Sequence, residues 1–304
     1  MSYIQNNPAP QDRILKGVVH VCTAFFLFTV MQAAAKLLTG RHHVIEIAFY
    51  RNIIALIPLL AYIIARRKFY LLKTKKPVAM AFRMLIGTSG LIITFAAVQA
   101  LPLANATVIF FTATLLVPVF SFFFLKEQVG WHRWAAVFIG MGGVVLVAQP
   151  SAQLTALGVG LALAAAFTHA VVAVLIRHMR SENPLTITFY FILGGALVPG
   201  LLMPWFAHAP TVESLLPLLF IGVAGGLGQY FLTSGLQMAP ASLLSPFNYT
   251  GLLWATGLDM LLWNYVPGWP VFAGAAIIIA SNLYILHRER LKGKKTKPAA
   301  PFTA

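Results

Sequence analysis

Long apolar runs separated by short polar connections make up almost the whole chain. Ten runs reach spanning length: residues 17–39, 44–65, 77–99, 103–125, 131–148, 156–179, 184–206, 213–237, 242–263 and 269–287. A helix needs about 20 predominantly apolar residues to cross the hydrocarbon core of a bilayer, so each run is expected to be a transmembrane helix. Connections are mostly three to eight residues long, which predicts antiparallel neighbours in sequence order. The longest link, 66–76, is strongly basic. Residues 1–16 precede the first run and residues 288–304 form a basic tail after the last.

One stretch occurs twice. Gln99, Pro102, Gly130 and Trp131 recur as Gln237, Pro240, Gly268 and Trp269, a constant offset of 138 with no gap over roughly thirty positions. Ile47, Phe49 and Tyr50 recur as Ile187, Phe189 and Tyr190 at an offset of 140. The shared order of these matches divides the chain into two five-helix units, 17–148 and 156–287. Five is odd, so the second unit enters the membrane in the opposite sense to the first. The expected fold is therefore an all-α integral membrane protein of ten helices in two inverted-topology repeats. Such halves can rock about a central cavity and open it to alternate sides.

Composition removes the soluble alternative. The 304 residues are 59% hydrophobic and 10% charged, with mean hydropathy +0.82, against about 25% charged in soluble domains. The net charge of +15 sits in loops between spans, which argues against nucleic acid as a partner and fixes orientation instead. With the N-terminus inside, the inner segments hold Arg13, Lys16, the set Arg66, Arg67, Lys68, Lys73, Lys75 and Lys76 with Arg83 just beyond, Lys126, Arg133, Arg177, Arg180 and the tail from Arg288 to Lys297. The outer loops hold Arg41 alone. Both termini are expected to be cytoplasmic. Arg13, Lys16, the following apolar run and Ala33 to Ala35 imitate a signal peptide, but the run is long and has a counterpart at 158–179, so it reads as a retained first helix. Cys22 is the single cysteine; it reads as packing, with no intramolecular disulfide, metal centre or cofactor expected.

Further residues carry a resemblance. Val117-Pro118, then Leu125 to Gln128 and Gly140 to Gly143, with Phe49-Tyr50-Arg51 in the second span, resemble the EamA-type drug/metabolite transporter superfamily over residues 14–290. Ser245 to Tyr249 with Leu252 to Ala255 is similar to a branch that includes carriers of amino acids and S-adenosylmethionine. The resemblance implies a multi-pass carrier of small organic solutes in the bacterial inner membrane, most often an exporter. The family usually repeats a glutamate after the ninth span, where this chain has Trp263-Asn264-Tyr265, so a role needing two loop acids lacks one of them.

Ionisable groups inside spans are costly and are functional candidates by default. Lys36 and Glu46 lie at similar depth on adjacent helices, and a salt bridge between them is the plain expectation. Arg51 is about 10 Å deep at 1.5 Å per residue. It is either neutralised by Asp259 or Glu46 or binds a substrate carboxylate. Glu127, before the fifth span, either caps that helix or gates. His20 is expected at the cytoplasmic interface. His169, near mid-membrane, either packs or contacts the ligand, and it is the main candidate for carrying a proton. The polar and aromatic groups Ser89, Gln229, Tyr230, Asn248, Tyr249, Phe111 and Trp254 complete a candidate substrate cavity around Asn248 and His169, apolar with few polar anchors. Gly87, Gly90, Gly225, Gly226 and Gly228 read as close-packing positions or hinges, and Pro246 as a break in the ninth helix.

The expected function is secondary transport of amino acids or related metabolites by alternating access, in the export direction. The alternative is uptake or exchange of S-adenosylmethionine or a similar nucleoside-containing metabolite. A lipid-modifying enzyme would need an acid/base pair, a nucleophile or a metal cluster near one interface, and no two such residues stand at credible spacing. Expected partners are the small-molecule substrate and the bilayer, with a homodimer as the candidate assembly.

Overall fold

The computed structural model describes residues 10–125, 131–149, 154–179, 181–206, 210–238 and 244–295. These are helical with no β-strand among them: α1 (Pro10–Leu37), α2 (Val44–Ala65), α3 (Pro77–Ala100), α4 (Leu103–Phe110), α5 (Thr112–Leu125), α6 (Trp131–Val147), α7 (Ala156–His178), α8 (Pro184–Phe206), α9 (Val212–Met238), α10 (Thr250–Trp263) and α11 (Trp269–Lys295). Short 3₁₀ turns cover Phe69–Leu72 and Ser245–Tyr249. Seven apolar segments are long enough to cross a membrane, and Trp134–Val147 and Trp269–Ile285 are shorter apolar helices. The molecule is a multi-pass membrane protein. Large apolar side chains such as Phe124, Leu157, Trp205 and Leu261 are exposed along the helices, as lipid-facing positions should be.

Local chemistry sets the helix ends. α2 starts where the Glu46 carboxylate accepts the His43 N–H (3.1 Å) and His43 Nδ1 accepts the Ile45 N–H (3.4 Å), a reciprocal cap for otherwise orphaned donors. α3 and α8 begin with Pro77 and Pro184, where a missing N–H is harmless. After α1 the chain turns through Gly40 at φ 80°. Asn264, at φ 49°, ends α10 by donating its N–H to the Asp259 carbonyl.

Two apolar runs contain a break. The run 103–125 is interrupted at Phe111, where Thr114 Oγ1 donates to the Phe111 carbonyl (2.6 Å) and α5 restarts at Thr112. The later run opens as the 3₁₀ turn Ser245–Tyr249, with proline in its first positions, and α10 restarts at Thr250. There Thr250 Oγ1 donates to the Phe247 carbonyl (2.7 Å). At the offset of 138, Phe111 corresponds to Tyr249 and Thr112 to Thr250, so the ladder resumes at one register in both copies. The two break residues meet: the rings of Phe111 and Tyr249 are 4.9 Å apart, edge to face.

Helix contacts exchange when the two copies are exchanged. α1 packs on α9 as α7 packs on α3; α2 packs on α9 as α8 packs on α3; α5 packs on α7 as α10 packs on α1. The pairs α2 with α8 and α6 with α11 map onto themselves. The largest buried apolar cluster runs through the middle, with Ala97, Leu103, Ile109, Phe111, Leu115, Leu252 and Ala255 among its members.

Candidate functional site

The connections α3–α4 and α10–α11 lie at one end of the bundle, and charge concentrates there. Asp259 is fully buried on α10. Its two carboxylate oxygens accept the N–H groups of Leu103 (3.0 Å) and Ala104 (2.8 Å), the first residues of α4. A carboxylate at a helix start satisfies orphan donors and opposes the positive end of the helix dipole. Lys36 of α1 reaches the same place, donating to the Leu101 carbonyl (2.7 Å) with Asp259 at 3.8 Å, and its ammonium stands 4.7 Å from the Trp263 ring. Tyr265, in the α10–α11 connection, donates its hydroxyl to Asn105 Oδ1 (2.9 Å). Burial, and then the nearby Asp259 charge, raises the Tyr265 pKa, which keeps it a donor. Helices of both copies are thereby bonded to one another at this end.

This arrangement corrects the expected pairing of Lys36 with Glu46. Lys36 turns to α4 and α10. Glu46, fully buried, accepts from His43 N and lies 2.7 Å from His42 Nδ1 in the α1–α2 connection. The expected neutralisation of Arg51 by Asp259 or Glu46 is corrected as well. Arg51 donates instead to Asn52 Oδ1 (2.6 Å) and the Gly225 carbonyl (3.3 Å). Glu127 lies outside the described residues.

Mid-span groups form a second cluster. His169 on α7 lies with Nε2 at 3.2 Å from Thr94 Oγ1 of α3, and its ring is 5.9 Å from Phe110. Phe110 leads directly into Phe111 and so to Tyr249, whose hydroxyl faces Thr114 and Asn282. Asn248 is half-buried in the 3₁₀ turn beside it. His169, Phe111, Asn248 and Tyr249 therefore stand around the helix breaks. The other expected lining residues are placed elsewhere. Ser89 is exposed on the α3 face shared with Phe82 and Leu85. Trp254 packs on Phe26 of α1, 5.2 Å between rings. Gln229 is half-buried on α9, and Tyr230 lines a cavity of about 580 Å³ between α2, α8 and α9 with Pro58, Thr188, Ile192 and Gly226. A second cavity, of about 530 Å³, opens at the α3–α4 end beside Asn105, Gln149 and Tyr265. His20 is half-buried, with Nδ1 at 3.1 Å from Ser234 Oγ of α9.

The glycines pack against side chains of neighbouring helices. A Cβ on Gly90 would lie 2.6 Å from Thr168 Oγ1, one on Gly228 2.8 Å from the Phe28 ring, and one on Gly226 3.2 Å from the Ala55 methyl. Sequence reasoning missed Arg83. It counted this residue with the basic loop 66–76, but Arg83 is buried on α3, 4.5 Å from the ring of Phe191. Six residues inside a helix that starts at Pro77 is about 9 Å of depth, and that was the available signal.

The EamA-like transporter family matches the chain twice, over residues 15–149 and 156–286. An S-adenosylmethionine uptake transporter of Rickettsia bellii (strain RML369-C) is 27% identical over 274 residues, 88% of this chain and 93% of the relative. The pseudopaline exporter CntI of Pseudomonas aeruginosa (strain UCBPP-PA14) is 28% identical over 274 residues, 89% and 95% of the two chains. An uncharacterized transporter of Helicobacter pylori (strain J99 / ATCC 700824) is 28% identical over 297 residues, 94% and 99%. One crystal structure shares the fold with a TM-score of 0.65 at 21% identity, covering 91% of this chain and 98% of that one.

Proposed function

Because the chain belongs to the EamA-like transporter family, we propose that it is a secondary carrier exporting amino acids or related organic metabolites across the bacterial inner membrane by alternating access. The observation that carries this reading is the exchange of helix contacts between the two copies, with both helix breaks meeting at Phe111 and Tyr249. Two inverted five-helix repeats, 17–148 and 156–287, would generate such a pattern. They also provide two alternative closures of one site.

With both termini cytoplasmic, as the basic loops favour, the α3–α4 end faces outward. Asp259, Lys36 and Tyr265 then close the outer side. His169, Asn248, Tyr249 and Phe111, at the breaks, are the proposed contacts for the transported solute, since a few polar side chains meet aromatic rings there in mid-span.

A second reading, uptake or exchange of S-adenosylmethionine, is supported by the printed role of the Rickettsia relative. Accelerated counterflow in sealed proteoliposomes tests both. Preloaded solute should draw in the same labelled solute above its equilibrium level. S-adenosylmethionine active in this assay while free amino acids are inert selects the second reading. No counterflow with any member of a broad metabolite panel rejects the carrier.

A further inference from the structure

Two arginines lie in the membrane interior with no carboxylate paired to either among the described residues. Arg51 of α2 is 2% exposed and Arg83 of α3 is 6% exposed. Among the described residues no acid is within ion-pair distance of either. Their guanidinium carbons stand 5.3 Å and 4.5 Å from the same ring, Phe191 of α8, and the two charges are near enough to repel. An uncompensated buried charge is strongly destabilising, and inside a membrane the cost of two together is higher still.

The pair is unequal in a way that points to a ligand. Arg51 is held by Asn52 Oδ1 and the Gly225 carbonyl, and Asn52 is itself oriented by donating to the Ala48 carbonyl (2.8 Å). Arg83 has no such support: its Nε and Nη1 are buried without any hydrogen-bond partner, and Arg51 Nε is the third orphan of the pair. Buried donors are nearly always satisfied, and the exceptions call for an explanation. The surroundings leave room for the guanidinium groups. A Cβ on Gly87 would collide with Arg83 Nη1, and one on Gly225 would lie 2.6 Å from Arg51 Nε. Glycine in a helix interior is less stable than alanine, so the two positions trade helix stability for space at the arginines. The cavity between α2, α8 and α9 is bounded by the same helices: its lining includes Ile54 and Ala55, one turn from Arg51, and Thr188, one turn from Phe191, with neither arginine in its wall.

We propose that Arg83, backed by Arg51, binds the carboxylate of the transported solute inside the membrane. A guanidinium presents a planar fork of N–H donors that matches a carboxylate, and an anion between protein and solute removes the uncompensated charge. The substrate class is then an organic acid or zwitterion in which a carboxylate is obligatory. A purely cationic amine is excluded. This inference rests on the carrier reading above.

Matched acid and amine pairs test it: S-adenosylmethionine and its decarboxylated form, L-phenylalanine and phenethylamine, L-tyrosine and tyramine. Each labelled compound is assayed by counterflow in proteoliposomes holding equal amounts of wild-type protein or of the variants Arg83→Gln, Arg83→Lys and Gly87→Ala. Arg83→Lys keeps the charge and removes the fork. Gly87→Ala keeps the arginine and crowds it, so the pair stands in if Arg83→Gln does not fold. For wild type, the acid that exchanges should be preferred over the partner lacking its α-carboxylate by at least about tenfold, the size expected from a charge-assisted hydrogen bond. In all folded variants that preference should fall to within about threefold. Equal use of acids and amines by wild type overturns the proposal and leaves the carrier reading standing, as does a preference unchanged in the variants. Exchange of neither acid nor amine overturns both.

Discussion

At the scale of single residues, Asp259 carries the most. It is fully buried, accepts two N–H groups at the start of α4, and receives Lys36 from α1. Asp259→Ala leaves an ammonium without its counter-charge and two backbone donors without their acceptor, which should lower stability by about 3–5 kcal/mol. Asp259→Asn keeps one acceptor oxygen and should cost less than half as much. Unfolding of the purified protein in detergent, followed by tryptophan fluorescence, ranks the two; an equal loss for both would show that the charge, and not the cap, is what matters. Sequence depth located Lys36, Glu46, Arg51 and Asp259 as groups within spans, and all four are buried or nearly so. It did not give their partners. Partners depend on which way each side chain rotates about its helix axis. In a lipid-facing helix the outward side is as apolar as the inward side, so the pattern that tells inside from outside in a soluble helix is absent. Arg83 was misplaced for a related reason: it follows a basic loop, and charge counting alone cannot separate the loop from the first turns of the next helix.

At the scale of elements, most helix boundaries were legible. α2 and α8 span the expected 44–65 and 184–206, and α3 extends one residue past the expected 99. Polarity rises sharply at the loops, and Pro77, Pro184 and Gly40 mark turns or starts. The break at Phe111 was not legible, because the run through it is continuously apolar, whereas Pro246 announced the break before α10. Helix packing has its own signature at α6 and α11. A Cβ on Gly143 would stand 2.8 Å from the Gly274 carbonyl, so these helices approach backbone to backbone. Gly142, one residue earlier, has open space. Gly143→Ala should therefore destabilise by about 1–3 kcal/mol through overpacking. Gly142→Ala should stabilise slightly, since alanine is the better helix former. Thermal unfolding in detergent compares them, and a similar loss in both would remove the close approach as the cause.

At the scale of the whole molecule, the proposed orientation rests on loop charge, a bias that acts during insertion and leaves no trace in internal contacts. It is open to direct measurement. In a Cys22→Ala background, a cysteine at Arg41 should react with a membrane-impermeant thiol reagent added to intact cells. One at Lys68 should react only after permeabilisation. The reverse pattern would invert the topology and place the Asp259 closure on the cytoplasmic side.

The approximate two-fold relation stops at Asp259. At the offset of 138 its counterpart in the first copy is Ser121, so this end is held by a carboxyl cap that the other copy does not repeat. In the proposed carrier the empty protein would rest unequally, waiting mostly with its site turned to the cytoplasm. Apparent affinity is the intrinsic affinity divided by the share of molecules able to bind. One solute would then half-saturate transport at a lower concentration from inside the cell than from outside. A bias of 1.4 kcal/mol in the resting equilibrium corresponds to about tenfold. A kinetic preference for one entry side would thus be written into a scaffold whose two halves pair their helices alike.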